Sequence, residues 1–180
     1  MNYYSARELA ESFRTVRKNT ILIAQDVPEE KYAFRAFPEA RSVGELLAHI
    51  ALACGMQYQL HAVERRSSFE GFDLASFIQR AKAEEKQARN KGQIVEMLRS
   101  SGEKWAGFIE GLSETFLAER VHMPPGSAPP SRSRFEMILS VKEHEMHHRG
   151  QLMLLERLFG IVPHLTREMQ ARMAAAGIKI

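Results

Sequence analysis

The 180-residue chain is predicted to be all-α, a four-helix bundle with long crossover connections. Three observations lead there. Apolar residues recur at alternating spacings of three and four in four long segments. Ser-x-x-Glu capping boxes head three of those segments, and no stretch alternates apolar and polar residues for long enough to make a sheet.

The first segment opens on Ser5-Ala-Arg-Glu8, whose Ser and Glu side chains can satisfy free amides of a helix N-terminus. Leu9, Phe13, Val16, Thr20, Ile23 and Val27 follow at the helical spacing until Pro28 stops the run. The connection to about Arg41 carries Pro28, Phe34, Phe37 and Pro38, an extended loop whose aromatics are expected to plug one end of the core.

Ser42-Val-Gly-Glu45 starts a second helix to about Arg66, with Val43, Leu46, Leu47, Ile50, Ala53 and Tyr58 apolar. His49 lies among them and should point inward, unlike His61 near the far end. Cys54, about 140° around the helix from His49, reads as small core filler.

From Ser67 to Gly92 the pattern weakens. Asp73 can cap a short helix bearing Leu74, Phe77, Ile78 and Ala81, and Lys82, Glu84, Glu85, Lys86 and Arg89 then alternate in sign like a solvated face. Ile94, Leu98, Ser101, Trp105, Phe108 and Leu112 restore the helical spacing, with Trp105 as a core anchor. Prolines between His122 and Ser131 impose a rigid loop. Ser133-Arg-Phe-Glu136 caps the last long helix, Gly160 and Pro163 close it, and 166–176 can form a short terminal helix.

Length makes residues 1–180 one domain, able to bury roughly 70% of the surface its unfolded chain exposes. The net charge of +3 and pI near 9.1 are mildly basic and the signs are mixed, so neither nucleic acid nor a membrane is an expected partner. A single cysteine leaves no internal disulfide and fits a reducing, cytoplasmic compartment; the first turns carry Arg7, Glu8 and Glu11 instead of the apolar run of a signal peptide.

The chemistry concentrates in His144-Glu-Met-His-His-Arg-Gly-Gln151. Stepping from Val141 along the apolar seam lands on His144 and then His148, one turn apart with Cβ atoms roughly 5–6 Å from each other, so both rings can reach one ion. His147 points about 80° away. Two buried neutral imidazoles need partners for both nitrogens of each ring, and a shared metal supplies one for each. With His49 facing them, three histidines and no fourth protein ligand describe an open site, suited to zinc, nickel or iron. No catalytic side chain is fixed by this reading; Glu145 and Gln151 are the candidates.

The same residues also match His-Glu-x-x-His, the zinc-protease motif, with Glu168 about twenty residues on as a conceivable third ligand. Gln151 and Leu154 break the metzincin continuation, and no strand is foreseen to hold a peptide substrate.

Arg41-Ser-Val-Gly-Glu-Leu-Leu-Ala-His49-Ile, His144 to Leu152, and Leu158-Phe-Gly-Ile-Val-Pro163 together resemble the DinB-like (YfiT-like) family of metal-dependent enzymes over nearly the whole chain. The resemblance implies a four-helix bundle, a metal triad of His49, His144 and His148, and a homodimer. It also implies a small-molecule substrate and chemistry of thiol-dependent transferase or hydrolase type, with a low-molecular-weight thiol (glutathione, mycothiol or bacillithiol) as a further cofactor. A non-catalytic, metal-binding stress-response protein is the alternative. Two departures from the family pattern, Leu155 where a tyrosine often stands and His164 where a second proline often follows Pro163, fall near the expected pocket.

Overall fold

The computed structural model describes residues 4–178. Helices α1 (Ala6–Asp26) and α2 (Val43–Tyr58) each pack against both α4 (Lys91–Glu110) and α6 (Arg134–Leu158). The consecutive helices α1 and α2 therefore stand across a diagonal of the bundle, and so do α4 and α6. This arrangement explains the long connections, because each diagonal crossing needs more chain than a hairpin. Helix α3 (Leu74–Glu85) lies outside, against α2.

Ser5 and Glu8 form the reciprocal cap of α1, with Glu8 N–H donating to Ser5 Oγ at 3.2 Å and Ser5 N–H donating to Glu8 Oε2 at 2.7 Å. Ser42 and Glu45 do the same for α2. At α6 Ser133 caps Glu136 N–H, but the Glu136 carboxylate turns to Arg132 at 3.8 Å and the box stays half made. The third complete box is Asn90-x-x-Gln93 at the head of α4, the same geometry built from amide side chains.

Several sequence expectations are corrected. Phe34 and Phe37 are exposed, and the loop residue that enters the core is Tyr32, whose hydroxyl donates to the Ala24 carbonyl at 2.6 Å. A two-stranded antiparallel hairpin, β1 (Arg120–His122) and β2 (Ser131–Ser133), flanks the proline loop in an otherwise helical chain. Three-residue strands are too short for an alternation signal. The hairpin drives Val121 into a small apolar cluster with Leu60, Phe69 and Met137 that closes the end of the bundle. His61, expected outside the core, is fully buried in a π-helical turn (Gln59–Val63) that prolongs α2. Its Nε2 meets Gln57 Oε1 at 2.9 Å and its Nδ1 meets Arg134 Nη1 at 2.8 Å. Burial, and then the Arg134 charge, pushes its pKa down to about 4, so the ring is neutral and accepts from the guanidinium. Helix α5 (Glu114–Ala118) and the terminal α7 (His164–Ala175) complete the chain.

The bundle interior has two large apolar clusters, one around Ile23, Leu47, Ile50, Leu98 and Leu152, the other around Phe13, Trp105, Ile109 and Ile138. A fully buried leucine, isoleucine or phenylalanine contributes about 1.5–3 kcal/mol. A polar layer separates the clusters. Arg17 from α1 and Glu145 from α6 are both buried and paired at 2.9 Å, with Thr20 Oγ1 donating to Glu145 Oε1 at 2.7 Å. Arg17 Nη1 also donates to the Leu98 carbonyl at 2.6 Å and to Ser101 Oγ at 2.9 Å. Gly102 makes room for it: a Cβ there would lie 2.7 Å from Arg17 Cγ.

Candidate metal centre

The adjacent helices α2 and α6 bring three histidines together. His49 Nε2 lies 3.2 Å from His144 Nε2, which lies 3.1 Å from His148 Nε2. The rings meet edge to face, with centroids 4.5–5.0 Å apart. These are the three positions that the sequence picks out, and they form the one cluster of three or more potential metal ligands among the described residues. Glu168 is not in it; it sits exposed on α7, 3.9 Å from Arg172.

The outer nitrogens of two rings are held in a way that fixes their tautomers. His49 Nδ1 is 2.5 Å from Glu85 Oε1, and a carboxylate can only accept, so Nδ1 carries a proton and the neutral ring presents a lone pair at Nε2. His148 Nδ1 is 2.9 Å from Gln151 Oε1, while the Gln151 amide nitrogen faces the exposed His147 at 3.3 Å. With the amide oriented this way, His148 also presents a lone pair at Nε2. Both lone pairs aim at His144 Nε2, which carries at most one hydrogen. At least one contact then sets two lone pairs against each other, a repulsion that a shared cation turns into two bonds. Nitrogens 3.1–3.2 Å apart can share one ion at a metal–nitrogen distance of about 2.0–2.1 Å, and the three ligand atoms all lie within 4.8 Å of one another. The residues present therefore fit a divalent metal.

The electrostatics favour the same species. Burial first, and then the neighbouring histidines and Arg41, lower the His144 pKa to about 4. Burial likewise lowers that of His148, against the Gln151 hydrogen bond that raises it. Neutral rings are the metal-binding form. Glu85 completes the picture: burial alone would raise its pKa, but hydrogen bonds from Arg41 and His49 outweigh burial and keep it ionised. Arg41 Nε donates to Glu85 Oε2 at 2.9 Å.

Glu85 is the functional residue that the sequence reading missed, placing it on a solvated face; it is 8% exposed. Its neighbours in sequence give no sign of this, because the residue it serves lies 36 positions earlier, on another helix. Glu145, a candidate for proton handling, has its carboxylate held in the core by Arg17 and Thr20. That is also the residue a protease reading would need as base. Gln151, the other candidate, does touch the site, through His148. Cys54 is buried with its thiol facing the Ala51 carbonyl, and burial pushes its pKa up, which suits filler and not a nucleophile.

Two cavities flank the triad. A smaller one of about 410 Å³ lies between α2, α3 and α6 and reaches His49 and His144 past Met56, Phe77 and Val141. A wider one of about 890 Å³ lies under the 35–41 loop and reaches His148 and Gln151. Leu155, one departure from the family pattern, lines the wider cavity; His164, the other, is buried at the start of α7, and both its ring nitrogens lack a partner.

Comparison with known proteins agrees with this fold. A family model described as the DinB superfamily matches residues 12–152. A DinB-like protein of Bacillus subtilis, YjoA, superposes with a TM-score of 0.63 at 19% identity, over 85% of this chain and 92% of its own. YfiT of Bacillus subtilis, described as a probable metal-dependent hydrolase with an unusual four-helix bundle topology, superposes with a TM-score of 0.64 at 10% identity, over 89% of this chain and 91% of its own. No curated protein matches in sequence.

Proposed function

Because the chain belongs to the DinB superfamily, we propose that it is a metal-dependent enzyme acting on a small molecule, of thiol-dependent transferase or hydrolase type. The observation that carries this reading is the convergence of three histidine Nε2 atoms at the boundary of two cavities, with no fourth protein ligand grouped with them among the described residues. An open coordination position beside a cavity is what a catalytic site needs and a purely structural one lacks. The description of YfiT as a probable metal-dependent hydrolase supports the same class.

A divalent cation held by His49, His144 and His148 would supply Lewis acidity, which lowers the pKa of a bound water or thiol towards neutrality. The chain's own residues prepare that chemistry. Glu85 holds the Nδ1 proton of His49 and Gln151 that of His148, which keeps both Nε2 atoms free to bind. Arg41 fixes Glu85 in turn. Phe77, Ile78 and Val141 give the cavity on the His49 and His144 side an apolar wall.

A homodimer belongs to the same reading, supported by a four-residue stripe on α6 in which Met146, Leu154 and Leu158 are exposed and Gly150 leaves room for close approach. Light scattering should return a dimer, and Leu154→Glu with Leu158→Glu a monomer. A cytoplasmic location is supported by the single, unpaired cysteine. No described helix is long and apolar enough to cross a membrane.

The deciding experiment loads the metal-free protein separately with zinc, nickel and ferrous iron. Each form is then offered glutathione, mycothiol or bacillithiol with a generic electrophile, and a panel of small esters and amides. Turnover that disappears with a chelator is expected. Stoichiometric metal with no turnover under any condition would favour the non-catalytic, stress-response reading.

A further inference from the structure

The two cavities differ in chemistry, and the difference describes a substrate. The smaller one is walled by Leu52, Met56, Phe77, Ile78 and Val141. Its volume of about 410 Å³ leaves room for an aromatic ring or a short alkyl chain, since a cavity of about 150 Å³ accepts benzene. The wider one adds charge to an apolar wall that includes Phe37, Leu46, Leu155 and Leu158. Arg35, Arg41, Lys82 and Lys86 line it against Glu39, Glu45 and Glu85. Two of these cations are already neutralised, Arg35 by Glu45 at 2.5 Å and Arg41 by Glu85 at 2.9 Å. Lys82 and Lys86 make no ion pair with any described residue, and Lys82 lines both cavities.

We propose that the substrate is an amphiphilic anion, with an apolar group of aromatic or short-alkyl size in the smaller cavity and an acidic group in the wider one at Lys82 and Lys86. The two cavities share Arg41, Lys82 and Glu85 in their walls, with His49 and His144 lining one and His148 the other, so a molecule laid out in this way would carry its central atoms beside the triad. The inference deepens the metal-enzyme reading and depends on it only for where the reacting atoms lie. Apolar burial supplies affinity, and the lysines supply the choice of charge.

The test is calorimetric titration of 4-phenylbutyrate, 4-phenylbutanol and 4-phenylbutylamine into chelator-treated and zinc-loaded protein. The acid should bind both forms at least about tenfold more tightly than the alcohol, and the amine more weakly still, with the preference reduced by added salt. Lys82→Gln with Lys86→Gln should remove the preference for the acid, bringing its affinity to that of the alcohol in the same variant. Arg7→Gln with Lys18→Gln, an equal charge change on α1, should alter neither. Equal affinity for acid and alcohol, no binding at millimolar concentration, or a preference that survives loss of both lysines overturns the proposal. The metal reading fails separately: zinc that does not bind, with selectivity intact in the metal-free chain, sinks the metal enzyme and leaves this inference standing.

Discussion

Glu85 at the end of α3 and His49 in the middle of α2 meet through a 2.5 Å hydrogen bond from His49 Nδ1 to the carboxylate. This contact ties an outer helix to a ligand of the inner bundle and sets which nitrogen of His49 faces the triad.

The ligand set gives the first prediction. His49→Ala, His144→Ala and His148→Ala should each abolish stoichiometric metal in the purified protein, measured by elemental analysis. His147→Ala and Glu168→Ala should retain it. Full occupancy in His49→Ala would remove the triad.

The supporting residues should matter less than the ligands but measurably. Glu85→Gln and Gln151→Ala leave all three imidazoles in place while loosening their orientation, and such changes typically weaken metal affinity about 10–100-fold. Competition with a chromogenic chelator reads the shift. An unchanged affinity in Glu85→Gln would mean that its bond to His49 plays no part in binding metal.

The polar layer predicts a thermodynamic cycle. Removing one member of the buried Arg17–Glu145 pair strands the other, so Arg17→Met or Glu145→Gln should each cost about 3–5 kcal/mol in urea unfolding. The double replacement Arg17→Met with Glu145→Leu should recover much of that loss. Additive losses would show that the two side chains act independently. Metal content in Glu145→Gln should stay stoichiometric wherever the variant is folded, which separates this residue from the histidines beside it.

Glu156 on α6 predicts a pH dependence. It is fully buried, both carboxylate oxygens lack partners, and burial, then the Asp26 charge, raises its pKa to about 7. The folded chain thus prefers the protonated acid, while the unfolded chain releases the proton near pH 4.5. This group's contribution to stability is fully present below that pH, falls as pH rises towards 7, and is lost above it. Glu156→Gln should remove the decline and stabilise the metal-free protein by around 2–3 kcal/mol at pH 8 but little at pH 4.5. Equal gains at both pH values would disprove the assignment.

Much of this protein is legible in its amino-acid order. The spacing of Leu9, Phe13, Val16 and Ile23, and of Ile94, Leu98 and Trp105, defines faces that local helical geometry must bury, and those residues are buried or nearly so. His144 and His148 are equally legible, because residues four apart share a helix face whatever surrounds them. What the sequence left open involves partners far apart in the chain. Arg17 looks like one more surface charge of α1 until Glu145, 128 residues away, is set opposite it. Glu145 in turn takes a buried position of α6, and its neighbour His144 falls on the half-buried flank, where it faces a cavity. Glu85 reads as part of a solvated charge run until α3 folds back over α2. Periodicity comes from the helix itself and needs no neighbour, so sequence alone determined the four long helices, the apolar stripes they bury and the histidine pair. A charged side chain becomes a core ion pair or a ligand's support only through the low-dielectric surroundings and the specific partner that packing brings, and tertiary structure alone decided those roles.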